Sequence, residues 1–170
     1  QLWCVPLIVF IIIMDFLDGQ IARAREEASL LGSVLDIATD RTLEIVLWVV
    51  FAHLGLIPII IPLIAITRGT TVDAVRAVGM RSGIPAFEQV HHPVSRFLVS
   101  SRFMRTSYGF AKAFAFAFLT LSLALQTLES SWASSVTTLA LILTWISIAY
   151  TIGRGLPVLI EGYSLLKNDD

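Results

Sequence analysis

Asp15, Asp18, Asp36 and Asp40 are four carboxylates set inside otherwise apolar runs of the chain. A carboxylate at a bilayer centre costs roughly 2.5–3.5 kcal/mol on insertion scales, so four facing lipid would cost about 10 kcal/mol. They must face one another, a cation or water. On helices, Asp15 and Asp18 stand at i and i+3, and Gly32, Asp36 and Asp40 at i, i+4 and i+8, so each set shares a face. Folding two such helix ends together brings the carboxylates to one point. An all-oxygen set suits a hard divalent cation, Mg2+ or Mn2+, and can hold two ions with one oxygen left to act as a base.

Small residues border these carboxylates. Gly19 follows Asp18 directly, Ala22 lies one turn above it, and Gly32 lies one turn below Asp36, so the wall lacks side chains where a flat group could lie. Arg23 sits beside this groove, and its planar fork of donors can neutralise phosphate oxygens. Metal ions, an arginine and a cleared wall suggest a bound nucleotide diphosphate. Spacing does not name its base.

The elements that must position these groups are membrane helices. The 170 residues are 56% hydrophobic and 15% charged, and the mean hydropathy of +0.80 fits an all-α polytopic membrane bundle rather than a soluble domain. One domain, 1–170, is the natural count. A formal net charge of -1, with the basic residues dispersed, excludes a nucleic-acid footprint. The single cysteine, Cys4, lies in an apolar run and reads as packing. The chain begins Gln-Leu-Trp with neither a basic leader nor a small-residue cleavage site, so no signal peptide is expected.

Five spans are expected, near 2–23, 34–54, 56–78, 108–128 and 134–160, with the turn AREEAS joining the two aspartate-bearing helix ends. Gly55 and Pro58 mark a tight uncharged connection, and Pro62 is expected to bend the third span. Residues 79–107 form a more polar segment. Within it Val94, Phe97 and Leu98 follow Pro93 at helical spacing, which fits a short interfacial helix or an ordinary surface loop. In this arrangement every Lys and Arg except Arg68 lies at or toward one face, which the positive-inside rule makes cytoplasmic. The aspartates open to that face.

The stretch reduces to Asp-x2-Asp-Gly-x2-Ala-Arg-x8-Gly-x3-Asp-x3-Asp. It resembles the signature of the CDP-alcohol phosphatidyltransferase family at all eight fixed positions. The resemblance implies a membrane enzyme of phospholipid biosynthesis that moves a phosphatidyl group from CDP-diacylglycerol to an alcohol and releases CMP. It implies Asp15, Asp18 and Asp36 as chief ligands of two divalent ions, with Asp40 able to ligate and placed to take the acceptor hydroxyl proton. It also implies Asp18, Gly19, Ala22, Arg23 and Gly32 around the bound CDP group, with Arg23 at its phosphates. The family usually has six spans and forms homodimers, and the span preceding the signature helix has no counterpart here. A bacterial inner membrane is the expected location.

The segment ITRGTTVDAVRAVG resembles the arginine-bearing segment of phosphatidylglycerophosphate synthases, with Arg68 and Arg76 at the same separation. It departs at Gly69, where those enzymes usually carry an acidic residue. Arg105-Thr106-Ser107 opens the fourth span where they tend to have Lys-Thr. Arg68, Arg76 and Arg105 beside the metals would make a dianion site for a phosphorylated polyol, glycerol 3-phosphate first and inositol phosphate second. The plainer readings are a helix pair of Arg76 with Asp73 and a positive-inside anchor for Arg105. The three histidines, His53, His91 and His92, read as interfacial, and Glu44 is left outside the site. A divalent-cation or proton-coupled transporter is the competing class. It would carry polar residues on to the far face, whereas the second span continues IVLWVVFAHLG.

Overall fold

Helix α1 (Leu30–His53) ends through the backbone that Gly55 makes available. Gly55 adopts φ +72°, its N–H donates to the Ala52 carbonyl at 3.0 Å, and the Leu56 N–H reaches back to Phe51 at 3.0 Å. This is a Schellman C-cap, whose left-handed position a side chain would strain. Its apolar contact pair, Phe51 and Leu56, is buried. The expected tight connection is therefore present.

The structure, a computed structural model, describes residues 30–81 and 92–168, and every regular element among them is a helix. After α1 come α2 (Ile60–Arg81), α3 (Pro93–Ser100), α4 (Arg102–Thr127) and α5 (Ala133–Asn168). The expected span 2–23 lies outside the described residues. Pro62 does not bend the third span, because it falls in the first turn of α2, where the missing N–H has no intrahelical partner to lose. The segment after Pro93 is a helix, with Val99 buried and Val94 and Phe97 exposed. Helix α4 starts at Arg102 rather than near 108, its basic first turn being helical, and α5 continues past 160 to Asn168.

Helix α4 and the segment Ala133–Gly162 of α5 are long and apolar enough to cross a membrane, with mean hydropathy 1.6 and 1.7. The distribution of side chains agrees with lipid as solvent. Ile142, Trp145, Ile146 and Ile160 of α5 are exposed, while Thr144, Ser147 and Thr151 of the same helix are buried. Between membrane helices small polar residues permit close approach, and large apolar ones face lipid at no cost.

The described residues fall into two compact units, 30–59 with 113–142, and 60–81 with 92–112 and 143–168. In the first, Phe116 of α4 packs on Trp48 and Phe51 of α1, with ring centroids 4.5 and 6.0 Å apart. Where α4 turns into α5, the Ser122 and Thr137 hydroxyls lie 2.6 Å apart, and the Gln126 amide donates to both at 3.1 Å. The turn itself repeats the Schellman pattern, with Glu129 N–H on Gln126, Ser130 N–H on Leu125, and Glu129 at φ 52°. In the second unit Val72 of α2, Val99 of α3 and Val158 of α5 form the core, joined by Val75 and Leu159. Gly162 lets α5 approach α2, for a methyl there would overlap the Val75 side chain.

Candidate active site

Asp15, Asp18, Gly19, Ala22 and Arg23 lie outside the described residues. Gly32 and Asp36 are on α1, with their side chains outside the described residues, and Asp40 follows Asp36 by one turn with its side chain exposed. Beyond it the helix changes character quickly. Glu44, the next residue on that face, is buried, and Trp48 and Phe51 are fully packed. Helix α1 thus presents an accessible carboxylate at one end and an aromatic plug at the other.

Among the described residues no three His, Cys, Asp or Glu side chains gather as a metal site. The aspartate cluster itself is not among them, since half of it precedes α1. The donor chemistry fits a hard divalent cation, because Asp36 and Asp40 recur at helical spacing and bring only oxygen.

The second unit gathers the arginines. Arg68 of α2 is half-buried and donates its Nε–H to the Thr151 carbonyl of α5 at 3.1 Å. Its stem crosses Gly155, where a methyl carbon would lie 2.7 Å from Cγ. Arg76, two turns further along α2, is half-buried, and Arg105 is exposed in the first turn of α4. All three act electrostatically on a fourth, Arg154 of α5.

Arg154 is firmly placed. Its Nε–H donates to the Leu98 carbonyl at 3.2 Å and a terminal nitrogen to Val99 at 3.3 Å, so it holds the end of α3. Its guanidinium carbon lies 5.2 Å from the Tyr108 ring centroid, which Lys112 Nζ approaches at 4.6 Å. Tyr108 also hydrogen-bonds through its hydroxyl to Thr151 at 3.1 Å. Reading Arg154 only as a positive-inside charge misses this. The signal for it is local: a cation between Gly153 and Gly155 in an apolar run is costly unless it has a task.

Arg68 and Arg154 are linked through one small polar group, since the Thr151 carbonyl accepts from Arg68, the Thr151 hydroxyl bonds to the Tyr108 hydroxyl, and Arg154 lies over the Tyr108 ring. Guanidinium forks of this kind match the oxygens of a phosphate or a carboxylate.

Curated proteins named "Putative cardiolipin synthase" from Mycobacterium bovis and Mycobacterium tuberculosis are 38% identical over 66 residues, 39% of this chain and 32% of each relative. The chain therefore matches about a third of the length of those relatives. No solved structure matches. A sequence model of the CDP-alcohol phosphatidyltransferase family matches residues 1–153, a range that holds the eight signature positions and ends one residue before Arg154. By that match the chain belongs to the CDP-alcohol phosphatidyltransferase family.

Proposed function

We propose that this chain is a membrane enzyme that transfers a phosphatidyl group from CDP-diacylglycerol to a phosphorylated polyol, glycerol 3-phosphate by preference, with release of CMP. The observation that supports the acceptor is the placement of Arg68, held by the Thr151 carbonyl, beside the Tyr108 hydroxyl bound to Thr151 and the Arg154 guanidinium over the Tyr108 ring. Family membership and the intact signature carry the donor.

Asp15, Asp18, Asp36 and Asp40 would hold two Mg2+ or Mn2+ ions, which when bound would supply charge neutralisation at the pyrophosphate of the donor. Gly19, Ala22 and Gly32 leave room for cytidine beside Asp18, and Arg23 meets phosphate oxygens. Asp40 takes the proton of the acceptor hydroxyl. The acceptor oxygen forms a bond to the lipid-side phosphorus, the bond from that phosphorus to the bridging oxygen breaks, and the electron pair leaves with CMP. Arg68, Arg76 and Arg105 hold the acceptor phosphate. The chain works as one domain, the head groups reacting at the cytoplasmic face of a bacterial inner membrane while the acyl tails stay in the bilayer.

A second reading follows from the relatives' name, which points to a reaction forming cardiolipin. Both are tested by supplying CDP-diacylglycerol and Mg2+ with glycerol 3-phosphate, inositol phosphate or phosphatidylglycerol in parallel and following CMP. Release with glycerol 3-phosphate supports the first reading, and release with phosphatidylglycerol alone supports the second. No CMP with any acceptor, from folded protein, removes the enzymatic reading.

A further inference from the structure

We infer that Gly155 is a positioning residue for the acceptor phosphate: its bare Cα lets the Arg68 side chain lie flat against α5, which aims the guanidinium. The inference rests on the function proposed above and deepens it.

A guanidinium grips a phosphate through two parallel hydrogen bonds only when its plane is fixed, and a free arginine stem carries considerable rotamer entropy. Here the stem is fixed at two points. The Nε edge is bound to the Thr151 carbonyl at 3.1 Å. One turn further along α5, a side chain at Gly155 would place its Cβ 2.7 Å from Cγ, 2.8 Å from Nε and 3.3 Å from Cδ of Arg68. The ledge is itself firm, because Thr151 is buried and its hydroxyl bonds to the Ser147 carbonyl at 2.9 Å and to the Tyr108 hydroxyl at 3.1 Å.

The three atoms nearest to a methyl at Gly155 all belong to the Arg68 side chain. That side chain can swing aside without moving a backbone, and alanine is the better helix former. The expected cost of Gly155→Ala is therefore in aim, and the fold survives. Gly162 differs, since a methyl there meets the branched Val75 rooted on α2.

The test uses the full chain in lipid nanodiscs with Mg2+, CDP-diacylglycerol and glycerol 3-phosphate. Gly155→Ala is expected to raise the acceptor KM about tenfold, the loss typical of one hydrogen bond to a charged group, while kcat and donor KM change less than about twofold. In an Arg68→Ala background the same substitution is expected to add nothing, because both changes act on one guanidinium. Independently of turnover, inorganic phosphate is expected to raise the melting temperature of the wild type more than that of Gly155→Ala. Unchanged acceptor KM and phosphate response in Gly155→Ala, additive effects with Arg68→Ala, a Gly155→Ala chain that does not fold, or a wild type insensitive to phosphate each overturn the inference. A wild type that responds to phosphate but releases no CMP removes the proposed reaction instead, and the phosphate comparison still decides the role of Gly155.

Discussion

Arg68 on α2 hydrogen-bonds through Nε to the main-chain carbonyl of Thr151 on α5, at 3.1 Å. A charged side chain thus uses one edge for the scaffold, which fixes the plane in which its other donors lie. Arg68→Ala is expected to raise the acceptor KM about 10- to 100-fold, and Arg68→Lys to recover only part of this, since an ammonium supplies charge without the fork. Steady-state kinetics with glycerol 3-phosphate varied against saturating CDP-diacylglycerol checks this.

Asp40, exposed on α1, is expected to act in proton transfer. Asp40→Asn should lower kcat by about 10²–10⁴-fold, the usual range for a lost general base. Retained donor binding, followed by equilibrium dialysis of labelled CDP-diacylglycerol in micelles, would separate the chemical step from assembly of the site. Full activity in Asp40→Asn would rule the assignment out.

Chelation by EDTA is expected to abolish CMP release, with Mg2+ or Mn2+ restoring it, because the donor set offers only carboxylate oxygen. Asp36→Asn should raise the Mg2+ concentration for half-maximal activity at least about tenfold. A metal titration of wild type and variant decides the matter.

Two backbone sites make opposite stability predictions. Gly162→Ala should lower stability by about 1–3 kcal/mol through overpacking against Val75. Glu129→Gly should raise it by up to about 1 kcal/mol, since Glu129 holds a left-handed φ of 52° at a helix C-cap. Melting temperatures in detergent report both.

Much of this arrangement is legible in the sequence, for reasons that differ by residue. Gly55 and Pro58 announce a turn because left-handed and ring-locked backbones have few other uses. Pro62 misleads, because a proline bends a helix only once the helix has a preceding turn to clash with, and the distance to the start of α2 decides that. Helix α3 is ambiguous at eight residues, too short for periodicity to separate it from a loop. The signature aspartates stand as a reading of type and spacing, since Asp15, Asp18 and the Asp36 side chain lie outside the described residues. Arg154 is hidden by a rule that explains it too easily, a basic residue toward the basic face. Gly155 is less visible still, since its importance comes from Arg68, far away in the chain, lying across it.

The Ser122, Gln126 and Thr137 cluster has a bearing on biogenesis. It ties α4 to α5 beside a connection whose charged residue is Glu129 alone. Groups that satisfy one another locally need no water and no third helix to enter hydrocarbon. Entry of the two segments into a bilayer as one hairpin would leave Glu129 as the one carboxylate to be placed by their connection.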